Sequence, residues 1–219
     1  MPNVKNQETL VKIKEDLDGV SAMWVVDYCG LTVKDIQALR TAIRESGASL
    51  KVYKNTLMHI ALEESNLPTL DEYLEAVAAR PATRLVLETK TLVPYRREDI
   101  AVEKIVRALE RHGLTERTDF ISFSLNACLE YRKRLPEANV YYLAGDLSPE
   151  SLRRVALTGL DYSAGVLRQH PEWIEQAHRA GLEVNVWTVN SEEEMRYFIA
   201  QGVDYITTDY PERLQALLK

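Results

Sequence analysis

Short apolar runs alternate with amphipathic segments along almost the whole chain. The runs have the length and composition of buried parallel strands, and the segments between them carry apolar residues at helical spacing. This pattern predicts eight strands, each followed by at least one helix, over residues 22–28, 50–54, 84–89, 120–123, 140–143, 159–162, 183–188 and 205–208. Alternation of this kind favours a parallel sheet, and eight units permit a (β/α)₈ barrel. An open doubly wound sheet with a second small unit is the alternative.

The predicted helices begin and end at recognisable residues. Thr32 is placed as an N-cap, and Thr69 with Glu72 has the spacing of a capping box. The helices are predicted over residues 7–17, 33–46, 56–64, 69–79, 98–112, 126–135, 149–156, 171–180, 191–201 and 211–218. The one plausible seam is residues 65–68, where a proline ends one helix and the capping box begins the next.

The composition narrows the class of protein. The 219 residues carry a formal net charge of −6, which argues against broad binding to nucleic acid or anionic membranes. Cys29 and Cys128 belong to no C-x-x-C pair, so a zinc site and a disulfide scaffold are not expected. No apolar run approaches the ~20 residues of a membrane span, and the N-terminus has no apolar signal core. We therefore expect a cytoplasmic protein without membrane contact.

The first 66 residues carry three specific motifs, Met-Pro-Asn at residues 1–3, Trp-Val-Val-Asp-Tyr-Cys-Gly-Leu-Thr at 24–32 and Lys-Val-Tyr-Lys-Asn-Thr-Leu at 51–57. With these motifs the segment resembles the N-terminal part of the bacterial large-subunit ribosomal protein that anchors the stalk, number ten of its series. The resemblance implies an rRNA-binding ancestry, with Lys5, Lys51, Lys54 and Asn55 as the matching polar positions.

Two departures from that family make rRNA an unlikely partner. Cys29 stands where family members usually have a basic residue, and the rest of the family's RNA-binding domain has no counterpart. Residues 1–66 also balance eight Lys and Arg against nine Asp and Glu. A solvated helix face is the simpler interpretation of these lysines.

From residue 67 onward a second set of motifs appears, at residues 85–90, 120–124, 140–143, 184–190 and 204–209. In order and spacing they resemble five of the third to eighth strands of the glycerophosphodiester phosphodiesterase barrel. That segment lacks the family's first two βα units, and the ribosomal-type segment supplies two. We therefore interpret the chain as a chimera, in which segments 1–66 and 67–219 form a single composite barrel over residues 1–219.

The phosphodiesterase resemblance assigns roles to several residues. Hydrolysis of a phosphodiester needs positive charge near the phosphate and an acid for the leaving alkoxide, and the family supplies a carboxylate-bound divalent metal and two histidines. Glu88 matches a metal ligand and Lys90 a phosphate contact, and they lie two apart on one strand and so share a face. An internal Glu–Lys ion pair is the alternative.

Other candidates have weaker support in the sequence. Trp187 resembles the family's aromatic wall around glycerol, with a core tryptophan as the alternative. Asp27 could give Mg²⁺ or Ca²⁺ at Glu88 a second carboxylate, and His170 is the one histidine placed to act as an acid. Asp209 is expected to cap the last helix.

The family's His-Arg-Gly motif, its acidic pair and its following His-Asp have no equivalent in this sequence. Each missing acid or base costs about 10²–10⁴ in rate, so we expect little or no hydrolysis. The expected ligand is a small phosphodiester or phosphate. Two alternatives remain: an rRNA-binding module in residues 1–66, and a working phosphodiesterase that uses Asp27, Glu88 and His170.

Overall fold

The computed structural model of the chain describes residues 4–18, 20, 32–64 and 69–218, except the side chains of residues 4, 5, 59 and 63. The chain divides into two compact units, Met1–Pro68, here the N-terminal unit, and Thr69–Lys219, here the sheet unit. The division coincides with the predicted seam. The first predicted strand, which includes Asp27, lies outside the described residues. That the two segments form one composite barrel stays a prediction.

The described part of the N-terminal unit is helical. Its helices are α1 (Val4–Leu17), α2 (Val33–Glu45) and α3 (Asn55–Glu63). Helices α1 and α3 pack together through Ile13, Leu57 and Ala61, because these apolar residues recur on facing sides of the two helices. Residues 50–54, predicted as the second strand, are assigned to neither a helix nor a strand, and the preceding predicted strand is outside the described residues.

The sheet unit alternates strands and helices. Its elements are α4 (Leu70–Ala78), β1 (Leu85–Glu88), α5 (Tyr95–Arg111), β2 (Thr118–Ser122), α6 (Leu125–Arg134), β3 (Val140–Tyr142), α7 (Pro149–Arg154), β4 (Gly159–Ser163), α8 (Ala164–Gln169), α9 (Glu172–Arg179), β5 (Glu183–Trp187), α10 (Glu192–Gln201), β6 (Tyr205–Ile206) and α11 (Pro211–Leu217). The strands form one parallel sheet in the order β1 to β6. They are the third to eighth predicted strands, and the sheet curls into half of a barrel.

The two faces of this sheet differ in chemistry. Leu160 and Val184 belong to the hydrophobic core beneath the helices, and alternate residues point to the opposite side. We call that opposite side the inner face; it carries Glu88, Asp119, Tyr141, Asp161, Glu183, Asn185 and Trp187. Strands β4 and β5 approach so closely that a Cβ at Gly159 would lie 2.1 Å from the carbonyl oxygen of Glu183.

Several helix predictions are confirmed, and one helix is unexpected. The capping boxes of Thr32 with Asp35 and of Thr69 with Glu72 are both present. Helix α8 has no counterpart in the predicted pattern: Ser163 caps it directly after β4, ahead of the expected helix that starts near residue 171. Among the described residues no helix is long and apolar enough to cross a membrane.

Candidate phosphate-binding site

Glu88 and Lys90 meet at the carboxyl end of β1, as their spacing predicts. The Nζ of Lys90 donates a hydrogen bond to Oε1 of Glu88 over 2.7 Å. The Lys90 side chain is 76% exposed and that of Glu88 is 28% exposed. An ammonium group has three N–H donors, so Lys90 can hold Glu88 and still donate to an anion that arrives from solvent.

The chain around Lys90 is fixed by hydrogen bonds from β2. The backbone N–H of Thr89 donates to the carbonyl of Ile121, and the hydroxyl of Ser122 donates to the carbonyl of Thr89 over 2.6 Å. The hydroxyl of Thr89 also lies 2.6 Å from that of the buried Tyr131. Thr89 is therefore held through both its backbone and its side chain, and this restricts the position of the Lys90 backbone.

Glu98 forms hydrogen bonds with the loop after β1 and with the loop after β2, both at the carboxyl end of the sheet. This carboxylate is fully buried and accepts from the backbone N–H of Leu92 (2.9 Å), the hydroxyl of Ser124 (2.8 Å) and the amide of Asn126 (3.0 Å). Helix α5 begins at Tyr95, three residues before the predicted start, so Glu98 lies in its first turn, where the helix dipole favours negative charge. The Glu98 clamp therefore joins the loop after β1 to the loop after β2.

An aromatic pair stands at the same end of the sheet. Trp187 ends β5 and Phe123 follows β2, and their rings make an edge-to-face contact with centroids 5.8 Å apart. The indole N–H of Trp187 donates to the backbone carbonyl of Asp161 over 2.8 Å, which fixes the ring. Phe123 is 41% exposed, so the pair offers apolar surface to solvent rather than filling the core.

Asp161 lies in the middle of β4 on the inner face. It is only 2% exposed, and among the described residues its Oδ1 has no hydrogen-bond partner. Burial raises the pKa of this carboxyl to about 7; a hydrogen bond from Asn185 opposes that rise, and the nearby negative charge of Glu88 adds to it. Buried polar atoms without partners are rare in native proteins, and each one requires an explanation.

The metal prediction rests on carboxylates, and the described residues contain no group of three or more His, Cys, Asp or Glu side chains placed to hold an ion. Asp27, the proposed second ligand, is outside those residues. Glu88 and the free oxygen of Asp161 are nevertheless hard oxygen donors of the type that Mg²⁺ and Ca²⁺ prefer. Among the described residues, however, no complete ligand set for such a cation is brought together.

The other candidate residues lie apart from Glu88 and Lys90. His170 is the C-cap of α8, where its ring stacks on Trp173 with centroids 4.2 Å apart and its Nδ1 lies 3.4 Å from Glu172. In the described part of the chain no contact joins His170 to Glu88. Its role as an acid stays a prediction.

The expected helix cap at Asp209 is wrong. Tyr210 occupies the N-cap position of α11 and makes no side-chain cap there. The carboxylate of Asp209 instead accepts from the side-chain amide of Asn190 over 2.7 Å, so it joins the loops after β5 and β6. The backbone N–H of Asp209 donates back to the same amide.

The residues matched to RNA binding lie in the N-terminal unit. Lys54 is the exposed N-cap residue of α3, and Asn55 is its first residue. The Nζ of Lys51 is 3.5 Å from Asp16, so part of its charge is neutralised within the protein. The side chain of Lys5 is outside the described residues.

Three residues of this region have no role in the sequence-based prediction: Phe123, Glu98 and Asp161. Phe123 belongs to a strand motif, and Glu98 coincides with a predicted helix start. A signal for Asp161 does exist, since it is a single acidic residue within the otherwise uncharged run Gly159–Ser163. A charge at an alternating position of a buried strand indicates a polar inner face.

Sequential parallel strands with helices on one face form a half-barrel scaffold, and an acid–lysine pair lies at the carboxyl end of its first strand. The glycerophosphoryl diester phosphodiesterase family matches residues 183–212, and the ribosomal protein L10 family matches residues 1–80. The two-family origin is thus confirmed. The L10 match extends past the predicted seam and includes α4.

Individual relatives agree with this division. Large ribosomal subunit protein uL10 of Deinococcus radiodurans is 50% identical over 64 residues, which are 29% of this chain and 38% of that protein. A crystal structure of a glycerophosphodiester phosphodiesterase from Parabacteroides distasonis has a TM-score of 0.68 and 41% identity, covering 69% of this chain and 64% of that one.

A phosphodiesterase from Oleispira antarctica, solved with the product sn-glycerol-3-phosphate, has a TM-score of 0.58 over 74% of this chain and 65% of that one. At 23% identity it shares the fold. The chain spans less than two thirds of the length of each of these three relatives.

Proposed function

We propose that the sheet unit binds a small phosphate or phosphodiester at the carboxyl end of its strands, with Lys90 as the cation that contacts the anion. The observation that carries the proposal is the exposure of Lys90: it pairs with Glu88 over 2.7 Å at the end of β1, but 76% of its side chain faces solvent, unlike the internal ion pair that is the alternative. Glu88 orients the lysine and is also the carboxylate to which a Mg²⁺ or Ca²⁺ ion would bind.

The aromatic pair supports a ligand with an organic part. Phe123 and Trp187 lie at the same end of the sheet as Lys90 and offer an apolar wall that the phosphate itself does not need. A glycerol or similar short-chain group attached to the phosphate fits this combination of one cation and one aromatic surface. Trp187 therefore has the role of a substrate-binding residue.

Hydrolysis is proposed to be weak or absent. The sequence has no equivalent of the family's two histidines, and His170 is held by Trp173 and Glu172. Without an acid for the leaving alkoxide, a bound phosphodiester would react about 10²–10⁴ times more slowly for each missing group. Binding is thus the property to measure first.

Calorimetric titration of the full chain with glycerol 3-phosphate and with inorganic phosphate tests the binding proposal. Lys90→Met should weaken both ligands about tenfold or more, because a charged hydrogen bond is lost. Lys90→Arg should keep most of the affinity. Lys104→Met is the matched control on the exposed surface of α5 and should change nothing. Equal losses in the two methionine variants, or no binding to the wild type, would contradict the proposal.

Release of glycerol 3-phosphate from a glycerophosphodiester, followed with Mg²⁺ or Ca²⁺ present, tests the catalytic part. The expected result is a rate at background. A metal-dependent rate that Glu88→Gln abolishes would instead favour a working phosphodiesterase.

RNA binding by residues 1–66 is the second candidate function, and the 50% identity to a ribosomal protein over 64 residues favours it. Fluorescence anisotropy with a stalk-base rRNA fragment at several salt concentrations is the test. If the segment did bind the fragment specifically, the affinity would weaken steeply with salt and fall further in Lys54→Ala. Because the segment is nearly charge-balanced and Lys51 is paired with Asp16, we expect no binding above background.

A further inference from the structure

The two most exposed large apolar side chains in the described part of the sheet unit lie close together in one loop. Val93 is 70% exposed and Tyr95 is 66% exposed, and both belong to residues 91–97, here the rim loop, which links the end of β1 to the first turn of α5. The rim loop lies at the carboxyl end of the sheet, as Lys90 does. Scattered exposed apolar residues are ordinary, whereas a contiguous exposed apolar group indicates contact with a partner.

Hydrogen bonds hold the rim loop in this exposed conformation. The buried carboxylate of Glu98 accepts from the backbone N–H of Leu92 over 2.9 Å, and Leu92 is itself half-buried. At the other end of the loop the backbone N–H of Arg97 donates to the carbonyl of Pro94 over 2.8 Å. The exposure of the two apolar side chains is therefore a property of the fold rather than of a loose segment.

The charge of the rim loop differs in sign from that of the whole protein. Residues 89–97 contain Lys90, Arg96 and Arg97 and no Asp or Glu, although the chain has a formal net charge of −6. Arg96 is exposed and directly follows Tyr95. The overall negative charge opposes broad attraction to an anionic surface, so an attraction through these residues has to be local. Apolar and basic side chains together at one projection complement a surface that is apolar beneath an anionic layer.

The shape of the rim loop selects among possible partners. Residues 93–97 are five consecutive exposed residues, so they form a projection and not a groove. A bound peptide or helix needs a groove or a sheet edge to receive it. A bilayer interface instead receives a projection: tyrosine rings are favoured at the level of the headgroups, and basic side chains are attracted to anionic lipids.

From these observations we infer that the rim loop docks the protein on the surface of an anionic phospholipid bilayer. Val93 and Tyr95 enter the interface, and Arg96 contacts the lipid phosphates. The inference goes beyond the proposed function and does not require Lys90 to bind a ligand. Because the apolar contribution comes from two side chains, the binding is weak and reversible, no tighter than the ~10⁴ M⁻¹ that a single myristoyl chain gives.

Flotation of the full chain with lipid vesicles tests the inference. Vesicles of phosphatidylcholine with an equal amount of phosphatidylglycerol should bind the wild type, and phosphatidylcholine alone should bind it about tenfold or more weakly. The double variant Val93→Ser, Tyr95→Ser should lose about tenfold or more of the affinity for the anionic vesicles, because the apolar area no longer leaves water. Arg96→Ala should lose about fivefold.

Two exposed residues outside the rim loop provide matched controls. Tyr73→Ser removes a tyrosine that is 56% exposed on α4, and Lys104→Ala removes a charge from the exposed side of α5. Both variants should bind the anionic vesicles as the wild type does. The changed side chains of the rim loop are exposed, so their variants should unfold at about the temperature of the wild type, which shows that they are folded.

Each remaining outcome overturns the inference. Binding that is absent from the wild type, or equal in the wild type and the double serine variant, excludes the rim loop as a docking surface. Binding to polyglutamate without binding to vesicles would show that the basic residues recognise an acidic polymer and that the bilayer is the wrong partner. The titrations of Lys90→Met with soluble phosphates are read separately, so either proposal can fail while the other stands.

Discussion

The N-terminal unit and the sheet unit bury their apolar residues on very different scales. The described core cluster of the N-terminal unit consists of Ile13, Leu57 and Ala61, whereas that of the sheet unit extends from Leu74 in α4 to Phe198 in α10. Because stability scales with the apolar area removed from water, the sheet unit should contribute most of the free energy of unfolding. Sequence similarity to a ribosomal protein is therefore strongest where the described packing is smallest.

Helix α4 shows that sequence origin and packing need not share a boundary. The L10 match includes it, but Leu74 is fully buried in the core of the sheet unit and Asp71 accepts from Arg111 over 2.8 Å. The difference teaches that the L10 match ends beyond a helix that packs in the sheet unit, so the sequence similarity and the packing change at different residues. The following variants test that contrast, from the largest expected effect to the smallest.

Phe120→Ala tests the core of the sheet unit. Phe120 is fully buried and stacks on Tyr131 with centroids 4.2 Å apart, so the variant should lose about 3–5 kcal/mol of unfolding free energy in a urea titration. Val86→Ala, on the exposed side of β1, should change stability by no more than about 0.5 kcal/mol. A loss at Phe120 no larger than that at Val86 would show that the core of the sheet unit does not supply most of its free energy of unfolding.

Gly159→Ala tests the close approach of β4 and β5. The added methyl group would overlap the carbonyl of Glu183, so the strands must separate at a cost of about 1–3 kcal/mol. Gly165→Ala in α8 is the control, since its nearest neighbour would be 3.9 Å away and alanine favours the helix. Thermal unfolding should rank Gly159→Ala well below the wild type and Gly165→Ala level with it.

The two capping boxes allow a matched comparison between the units. Thr32→Ala and Thr69→Ala each remove the same cap and should each cost about 1 kcal/mol of helix stability. Helix α4 is anchored by the buried Leu74, so the stability lost in Thr69→Ala should appear in global unfolding. Helix α2 has no buried residue, so the stability lost in Thr32→Ala should appear as faster amide exchange in residues 33–45 alone. A global change for Thr32→Ala would show that α2 unfolds with the rest.

Alkaline pH should affect one tyrosine in each unit. Burial, followed by the hydrogen bond and charge of Asp16, raises the pKa of Tyr53 to about 12, and burial raises that of Tyr131 to about 12 against a hydrogen bond from Thr89. A raised pKa means that the stability is fully present below pH ~10 and is lost as pH rises to ~12. Tyr53→Phe and Tyr131→Phe should each flatten that loss in urea titrations at several pH values. Unchanged curves would exclude these tyrosines as the cause.

The six described strands are predictable from the sequence because their apolar runs are compact and bounded by helix signals. Helix α8 is not, because six residues are too few to display a helical period and Ser163 is its only local signal. The pairing of Glu88 with Lys90 follows from alternation alone. The orphaned oxygen of Asp161 and the burial of Glu98 could not be predicted, since both depend on residues brought together from distant parts of the chain.

The Glu98 clamp has a consequence for how this protein can vary. The fully buried side chain of Glu98 accepts hydrogen bonds from Leu92, Ser124 and Asn126. These bonds fix the number of residues between Lys90 and α5, because one residue more or less would move Leu92 away from its acceptor. Insertions and deletions should therefore be tolerated in other surface turns and rejected between residues 89 and 98. In a library of variants with altered loop lengths, no folded variants should have insertions or deletions in this segment.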